Sequence, residues 1–585
     1  MLYLLIGHRG AGKTSFLKRV QFYFGQASRP VQVWDLDEEI VKRSGKSVAL
    51  IFEQEGEPSF RAWEEKVFKQ LFEARKGDAY IAIGAGFEFE LPSEECRVLW
   101  IRRMTDSLPR IFLDRPRLDA SVSPAEEYLQ RFEKREARYA ALATDVWMIP
   151  EGFEKPNAFE KDFVLGTMPE IPGTLTVLPE HFRRGLNLPA SQLYEVRDDL
   201  LDSEQIAQAL MILPAEKTLY SIRKGTKPPE GVLTDLAMEF PSQSVAYSHM
   251  VSCHERRGTI SETARALEEA GKKMNARFLK LAPVVQNFSE LWEGHQWAFQ
   301  DFEHRAFLPR SAPEQEGRWR WYRLLEFGTQ PLSFYRLGQG SSPDQPYLFE
   351  VLKLQPQSDF AAVLGYPIDH SRTPSEQFEF FYQRGVGVLA IPVPEAECED
   401  ALRVLQHLGM KYAAVTAPLK TQVAKLCKNE GSVEDSVNSL YWSKQEECWV
   451  GTNTDLEGLR WLPEDVKNAS TVVWGGGGTL PVLKNSLPGA SFYSAQTGQP
   501  REGQAAPAES PRAVIWCVGR TRGGAMPPRD WHPQVVVDLN YSEDSPGREL
   551  ALRSGAKYVS GAVMFEAQAK AQREFWGEQE KVDVR

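Results

Sequence analysis

The chain has little cysteine, no long apolar run and no excess of basic charge. Its six cysteines (Cys96, Cys253, Cys398, Cys427, Cys448, Cys517) are scattered without a C-x-x-C pair. That spacing excludes a zinc ribbon and favours reduced thiols over a disulfide framework. No apolar stretch nears the roughly 18 residues that a membrane span needs. The apolar start, Met1 to Ile6, is too short for a signal h-region and has no basic segment before it. A formal net charge of −11 leaves no electrostatic footprint for nucleic acid. The 42% hydrophobic and 25% charged content is ordinary for soluble globular protein, and 585 residues exceed what one core holds. These features predict a cytoplasmic, multidomain protein that acts on small molecules and binds neither nucleic acid nor membrane. They leave a homo-oligomer open.

Three composition breaks divide the chain. Residues 150–173 carry four prolines and three glycines and read as a connector. A second break falls at Lys353 to Asp359, before the apolar AAVLGYPI. A third, residues 498–512, reads as a mobile loop inside an α/β pattern. The first and last segments alternate short apolar runs with longer amphipathic stretches, the pattern of parallel α/β units. The middle segment alternates too, with unusually short intervals.

LYLLI (2–6) suits a buried central strand and runs into GHRGAGKT (7–14), then a helical pattern. In such a G-x-x-x-x-G-K-[ST] loop, Gly7, Gly10 and Gly12 let backbone N–H groups wrap phosphates. Lys13 reaches the outer phosphates and Thr14 holds Mg²⁺. Asp35 and Asp37 stand two apart at a strand end, Arg61 and Glu64 lie at helical spacing, and YIAIGAG (80–86) ends a further strand in small residues. Together these residues resemble shikimate kinase over residues 1–150. The resemblance implies ATP, Asp35 beside Mg²⁺, and Asp37 at the attacking hydroxyl. It also implies Arg61 and Arg135 on the substrate carboxylate, Gly84 and Gly86 against the ring, and Arg115 as the lid arginine. Ala85 replaces a glycine usual in the family.

In the last segment, Ser371 and Thr373 lie in GYPIDHSRTPSEQ, Thr416 and Lys420 in AAVTAPLK, Asn438 in SVNSLYW, Asp455 in GTNTDLEGL and Gln568 in VMFEAQAKAQREFW. This ordered set resembles shikimate dehydrogenase, with a substrate domain at 358–460 and a Rossmann cofactor domain at 461–585. The resemblance makes Lys420 and Asp455 an acid/base pair. Ser371, Thr373, Thr416, Asn438, Tyr541 and Gln568 then bind substrate. STVVWGGGGTLPVLKNSL reads as strand, glycine turn and helix, placing Gly475, Gly476, Gly477, Gly478 and Thr479 at a dinucleotide pyrophosphate. FYSAQTGQ (492–499) stands where the family shows Asn-Arg-Thr, whose arginine meets the 2′-phosphate, although Arg501 lies nearby. VIWCVGRTRGGAM also departs from the usual Asn-Ala-Thr strand end. NADPH is the implied cofactor, with NADH kept open.

ARFLKLAP sets Lys280 among apolar neighbours, and MVSCHERRG carries His254 at another strand end. Burial lowers a lysine pKa, which an imine-forming nucleophile needs, whereas a lysine snorkelling at a strand end is the plainer reading of the fragment alone. With YEVRDDLL, LYSIRKG and SSPDQP, the residues resemble type I 3-dehydroquinate dehydratase, a (β/α)₈ barrel. The resemblance implies a Schiff base on Lys280, proton shuttling by His254, and a substrate lining of Glu195, Arg197, Arg223, Ser341 and Gln345. Residues 170–355 are short of the roughly 250 that such a barrel takes. The deficit falls between Arg223 and His254, where GVLTDLAMEF predicts the fourth strand and two helices shrink to turns. Ala237 stands where the family has aspartate. The usual Glu-Gly-Gly is missing, with Glu230 and Gly231 as shifted candidates.

The fold expected is therefore α/β: a P-loop kinase domain, a shortened (β/α)₈ barrel and a two-domain dehydrogenase. The order matches the last three modules of the fungal pentafunctional arom polypeptide, and the start at a buried strand predicts that its two preceding activities are absent. The implied substrates are 3-dehydroquinate, 3-dehydroshikimate and shikimate. Two alternatives stand beside this reading. One is a kinase and dehydrogenase around a degenerate barrel; the other is a metabolite-sensing quinate/shikimate regulator.

Overall fold

A computed structural model describes the chain except residues 93–95, 114–120, 154, 185, 187, 226, 241–247, 355–358, 432–434, 468–469, 502–509, 520–523, 544, 584 and 585. It forms two compact units, one of Met1–Arg103 with Arg135–Leu354 and one of Met104–Lys134 with Gln355–Arg585.

In the first unit, β1 (Leu2–Ile6), β2 (Gln32–Asp35), β3 (Ala79–Ala82), β4 (Cys96–Arg103) and β5 (Asp145–Ile149) form a parallel sheet in the order β2-β3-β1-β4-β5. Leu4, Leu5 and Ile6 are fully buried, as the unbroken apolar run of a central parallel strand requires. The loop after β1 leads into α1 (Lys13–Gln26), and α2 (Leu36–Ser44) follows β2 directly. The helical run α3 (Val48–Ala74) breaks at Gly56, φ 80°, two residues before Pro58, so its second half points Arg61 and Glu64 along a new direction. Arg135 is carried by α4 (Pro124–Leu142).

The connector is not bare chain. It holds α5 (Ala158–Leu165), whose first turn is capped by the Asn157 side chain. Glu160 of α5 is fully buried, and its carboxylate takes both Nε (2.5 Å) and Nη2 (2.9 Å) of Arg19 on α1. Tyr23 Oη and Trp147 Nε1 donate to the same carboxylate at 2.9 and 3.1 Å. A buried charge so fully partnered fixes α5 against the P-loop helix.

Eight parallel strands follow: β6 (Ile171–Thr176), β7 (Ser191–Arg197), β8 (Thr218–Ile222), β9 (Leu233–Ala237), β10 (Met250–Cys253), β11 (Phe278–Leu281), β12 (Arg305–Phe307) and β13 (Phe334–Tyr335). They hydrogen-bond in the order β12-β11-β10-β9-β8-β7-β6-β13, and among the described residues no ladder joins β12 to β13. The sheet is strongly curled. Glu195 on β7 comes within 3.9 Å of Lys280 on β11, whereas four strand spacings of about 4.8 Å in a flat sheet would separate them by roughly 19 Å. Helices α6 (Ser203–Ile212), α7 (Ile260–Lys273), α8 (Phe288–Phe299), α9 (Arg320–Leu325) and α10 (Leu348–Lys353) cover the outside. Between β8 and β9 the described residues form no helix, as the short interval predicts. The matching stretch before β10 includes residues 241–247 and lies partly outside the described residues.

In the second unit, β14 (Phe360–Gly365), β15 (Gly387–Pro392), β16 (Met410–Val415), β17 (Lys428–Asn429), β18 (Ser439–Ser443) and β19 (Cys448–Thr452) form a mixed sheet in the order β15-β14-β16-β18-β19-β17. A separate parallel sheet comprises β20 (Thr471–Gly475), β21 (Ser491–Tyr493), β22 (Ala513–Cys517), β23 (Val535–Asp538) and β24 (Lys557–Ser560), ordered β21-β20-β22-β23-β24. The closing helix, Ala562–Asp583, returns to the mixed sheet: Trp576 Nε1 donates to the Leu440 carbonyl at 3.0 Å and Asp583 accepts from Tyr441 Oη at 2.8 Å. Among the described residues no helix is long and apolar enough to cross a membrane.

Candidate active sites

The β1–α1 loop folds Lys13 back on itself, Nζ donating to the carbonyl oxygens of Gly7 (2.8 Å) and His8 (3.2 Å). Thr14 Oγ1 donates to Asp35 Oδ2 at 2.7 Å, and Asp35 Oδ1 accepts the Asp37 N–H at 3.1 Å. Thr14 on α1 and Asp35 at the end of β2 thus bring hard oxygen donors together beside the loop, a donor set that suits Mg²⁺. Gly10 and Gly12 hold φ values of 80° and 94°, which glycine reaches without strain.

Arg61 and Arg135 both converge on Gly86, where a Cβ would lie 2.6 Å and 2.9 Å from their Nη2 atoms. At Gly84 a Cβ would stand 2.4 Å from Glu64 Oε1 and 3.3 Å from Asp37 Oδ1. At both positions the tips of charged side chains press on the backbone, and a side chain there would have to displace them. Glu64, fully buried, carries no role in the sequence reading, yet it meets Arg61 Nη1 at 2.5 Å. Burial is the largest influence on Glu64 and pushes its pKa up to about 7 against the pull of Arg61. Arg115 lies outside the described residues.

In the curled sheet, Lys280 is 3% exposed, which rules out snorkelling. Its Nζ lies 2.5 Å from Asp235 Oδ2 and 3.9 Å from Glu195 Oε1. Arg223 Nη2 donates to the same Asp235 oxygen at 2.8 Å. Thr176 and Ser221 each donate to Glu195 at 2.7 Å, Ser341 Oγ is 3.1 Å from Thr176 Oγ1, and Gln345 Nε2 donates to Ser341 at 3.0 Å. Arg197 makes a two-bond pair with Asp199, at 3.0 and 2.7 Å, instead of turning to Glu195. Burial lowers the Lys280 pKa, with Asp235 opposing it. Burial would raise Asp235 and Glu195, but Lys280 and the surrounding arginines outweigh it and hold both carboxyls low.

Ala237 carries no carboxylate, but Asp235, two residues earlier on β9, lies on the same face. A strand read with period two leaves its register open without a partner to fix it. Glu230 is exposed, and the carboxylate beside His254 is that of Glu239: Oε2 lies 3.7 Å from Nδ1, and Oε1 accepts the Glu255 N–H at 2.8 Å. Burial lowers the His254 pKa to about 4 against the Glu239 contact, so the imidazole is neutral at pH 7. Arg310, unremarked in the sequence, donates to the carbonyl oxygens of Ala282 (2.7 Å) and His254.

In the mixed sheet, Lys420 Nζ meets Asp455 Oδ2 at 2.5 Å, and Asn438 Nδ2 donates to Asp455 Oδ1 at 2.7 Å. Asp455 and Asn438 are buried, and the Asp455 N–H is held by Asn453 Oδ1 at 2.9 Å. Ser371 and Thr373 are buried neighbours, the Thr373 N–H donating to Ser371 Oγ at 3.2 Å. Tyr541 Oη accepts the Arg372 N–H at 3.4 Å, and Thr416 closes over Gly365. Among the described residues, Gln568 makes no hydrogen bond to this cluster. One turn further along the closing helix, Gln572 is buried and donates to the Asn438 carbonyl at 3.1 Å. Beyond β20, Gly475, Gly476 and Gly477 take positive φ (96°, 120°, 47°), and Gly477–Thr479 form a 3₁₀ turn containing Gly478. A Cβ on Gly475 would fall 2.9 Å from Val518, so this turn admits only glycine there.

The family model for shikimate kinase matches residues 9–152. That for the shikimate dehydrogenase substrate binding domain matches residues 363–438. Among relatives, the chain is similar to a shikimate dehydrogenase (NADP(+)) of Anaeromyxobacter dehalogenans, 26% identical over 254 residues, 37% of this chain and 89% of that one. It is also similar to a shikimate kinase of Rhodococcus jostii, 28% identical over 150 residues, 24% of this chain and 83% of the relative. A solved structure, dehydroquinate dehydratase and shikimate dehydrogenase from S. pombe AroM, is 15% identical and spans 66% of this chain and 91% of its own, with a TM-score of 0.28.

Proposed function

We propose that this chain, which carries a shikimate kinase domain and a shikimate dehydrogenase substrate-binding domain, performs three consecutive reactions of the shikimate pathway in the cytoplasm. In this reading 3-dehydroquinate loses water, 3-dehydroshikimate is reduced, and shikimate is phosphorylated.

At the kinase site Arg61 and Arg135 grip the substrate carboxylate beside Gly86, since planar guanidinium groups match it bidentately. Asp37 takes the proton of the attacking hydroxyl, and Lys13 exchanges loop carbonyls for the outer phosphates of ATP. Thr14 and Asp35 would hold Mg²⁺, whose charge offsets that of the phosphates, and Arg115 would steady the transferring group. At the dehydrogenase site, NADPH supplies the hydride when bound. Lys420 gives the proton to the carbonyl oxygen and Asp455 holds the lysine head aimed. Ser371, Thr373, Thr416, Asn438, Tyr541 and Gln568 orient the carboxylate and ring hydroxyls.

In the curled sheet the Lys280 amine attacks the ketone carbon, a C–N bond forms, and the ketone oxygen leaves as water. His254, neutral at pH 7, removes the α-proton and returns it to the departing hydroxyl. Water then cleaves the imine. Glu195, Arg197, Arg223, Ser341 and Gln345 surround the substrate.

The observation that carries the three-step reading over a metabolite sensor is the assembly of two buried lysine–carboxylate pairs, Lys280–Asp235 and Lys420–Asp455, each at 2.5 Å. A sensor needs to bind its ligand, not to move protons. The test supplies purified protein with 3-dehydroquinate, NADPH and ATP together. Shikimate phosphate is the expected product; arrest at unchanged 3-dehydroquinate, with turnover of added 3-dehydroshikimate, leaves the barrel a scaffold.

A further inference from the structure

A cavity of about 370 Å³ opens between α8 and α9 on the outside of the curled sheet. Its walls come from the second half of α8, from the chain ahead of β12, and from α9 and the chain ahead of β13. It therefore lies where strands begin, whereas Lys280 and His254 sit where β11 and β10 end. None of the residues assigned to the three sites lines it.

Helix α8 presents Trp292, His295 and Phe299 at i, i+3 and i+7, which is one helical face. Their rings stack in turn, Trp292 on His295 at 5.2 Å and His295 on Phe299 at 5.4 Å between centroids. Phe302 extends the row, 6.4 Å from Phe299. Phe299 and Phe302 are 67% and 53% exposed, two large apolar rings left open at one cavity.

Polar groups complete the lining. Tyr322 Oη and His295 Nδ1 are 3.1 Å apart. Glu326, with its side chain 16% exposed, accepts from Thr329 Oγ1 at 2.7 Å through Oε2. Its Oε1 stands 3.6 Å from His295 Nδ1, beyond hydrogen-bond reach. Burial lowers the His295 pKa to about 4, so at pH 7 the ring has no charge to offer Glu326. Among the described residues no lysine or arginine lines the cavity. One carboxylate is thus held in an aromatic pocket without a cation.

A ligand that completes this arrangement brings a positive nitrogen to Glu326 and a flat ring to the phenylalanines, whose faces attract ring edges and cations alike. A carboxylate on the ligand would meet no cation and would be repelled by Glu326. We infer that the cavity binds an aromatic primary amine that lacks a carboxylate, with its ammonium on Glu326 and its ring against Phe299 and Phe302. The volume falls within the roughly 300–1,000 Å³ typical of small-molecule pockets.

Calorimetric titration of the full chain at pH 7 with 2-phenylethylamine, tryptamine, L-phenylalanine and 3-phenylpropionate tests this. Each amine should bind once per chain with a Kd below about 1 mM, and the two carboxylates at least about 10-fold more weakly. Glu326→Gln should weaken amine binding by roughly 10-fold or more, since it keeps the shape and removes the charge. A Kd above about 1 mM for both amines overturns the inference. Equal affinity for 2-phenylethylamine and 3-phenylpropionate overturns it on the wild-type chain alone, even if the variant does not fold. Amine binding unchanged in Glu326→Gln would seat the amines elsewhere and overturn it as well. Sedimentation of the free chain gives the last arm: a dimer that dissociates in Phe299→Asp would mean that a second copy covers the rings, and no ligand site is left.

Discussion

Lys280 and Asp235 stand on strands separated by β10, yet Nζ and Oδ2 lie 2.5 Å apart inside the curl of the sheet. Burial lowers the Lys280 pKa and the Asp235 contact opposes it, and only the deprotonated amine can attack a ketone, so a proton acceptor is needed beside it. Asp235 is the nearest acceptor, and Glu195 the next. Borohydride with 3-dehydroquinate should therefore fix substrate covalently to Lys280, and Lys280→Met should take up none. Labelling that survives in Lys280→Met would place the imine elsewhere.

The same pair sets a stability expectation. Asp235→Ala leaves Lys280 and Arg223 buried without their shared counter-ion, and breaking such a buried pair costs about 3–5 kcal/mol. Denaturant unfolding, followed by the tryptophan fluorescence of the barrel region, measures the loss. A cost under about 1 kcal/mol is the behaviour of a solvated pair and would contradict the burial.

What was legible in the sequence follows from how far apart partners lie. Lys13, Thr14 and the glycines are spelled in one loop, so their geometry is local. Lys420 and Asp455 were found at a distance because each sits in its own short motif. Asp235 and Gln572 were missed because each has a neighbour of the same periodicity, Ala237 on a strand face and Gln568 one helical turn away, and Glu239 because it lies in a turn that no motif marks. Only tertiary packing chooses between them. The curl of the sheet, which brings β7 against β11, has no signature in either strand alone.

Glu64 links substrate binding to pH. With a pKa raised to about 7, it is largely neutral at pH 6 and largely ionised at pH 8. Ionised, it competes for Arg61 and adds negative charge beside Asp37, so binding an anionic substrate should take up a proton. The KM for shikimate should fall as pH drops from 8 to 6, and Glu64→Gln should flatten that slope. A slope unchanged in the variant would assign it to another group.

At the proposed reduction site, Lys420→Met removes the proposed proton donor and leaves Asp455 bonded to Asn438. Reduction of 3-dehydroshikimate should drop by about 10²–10⁴ in kcat, with phosphorylation of added shikimate unchanged. A fall confined to KM would make Lys420 a binding group only.

Glu239 supports His254 in two ways that a single substitution separates. Its carboxylate holds the backbone N–H groups of His254 and Glu255, and its charge raises an imidazole that burial has lowered to about 4. Glu239→Gln keeps an acceptor for the backbone and removes the charge, so the loop should stay in place while the His254 pKa falls further. An NMR titration of the ring reads that shift directly, and the acid limb of the dehydratase kcat/KM profile should move to lower pH with it. Because the ring also loses the partner at 3.7 Å that orients it, kcat should fall by about 10-fold or more at pH 7, where protonation is not limiting in either protein. A ring pKa that rises, or a kcat that is unchanged, would show that Glu239 serves the backbone alone.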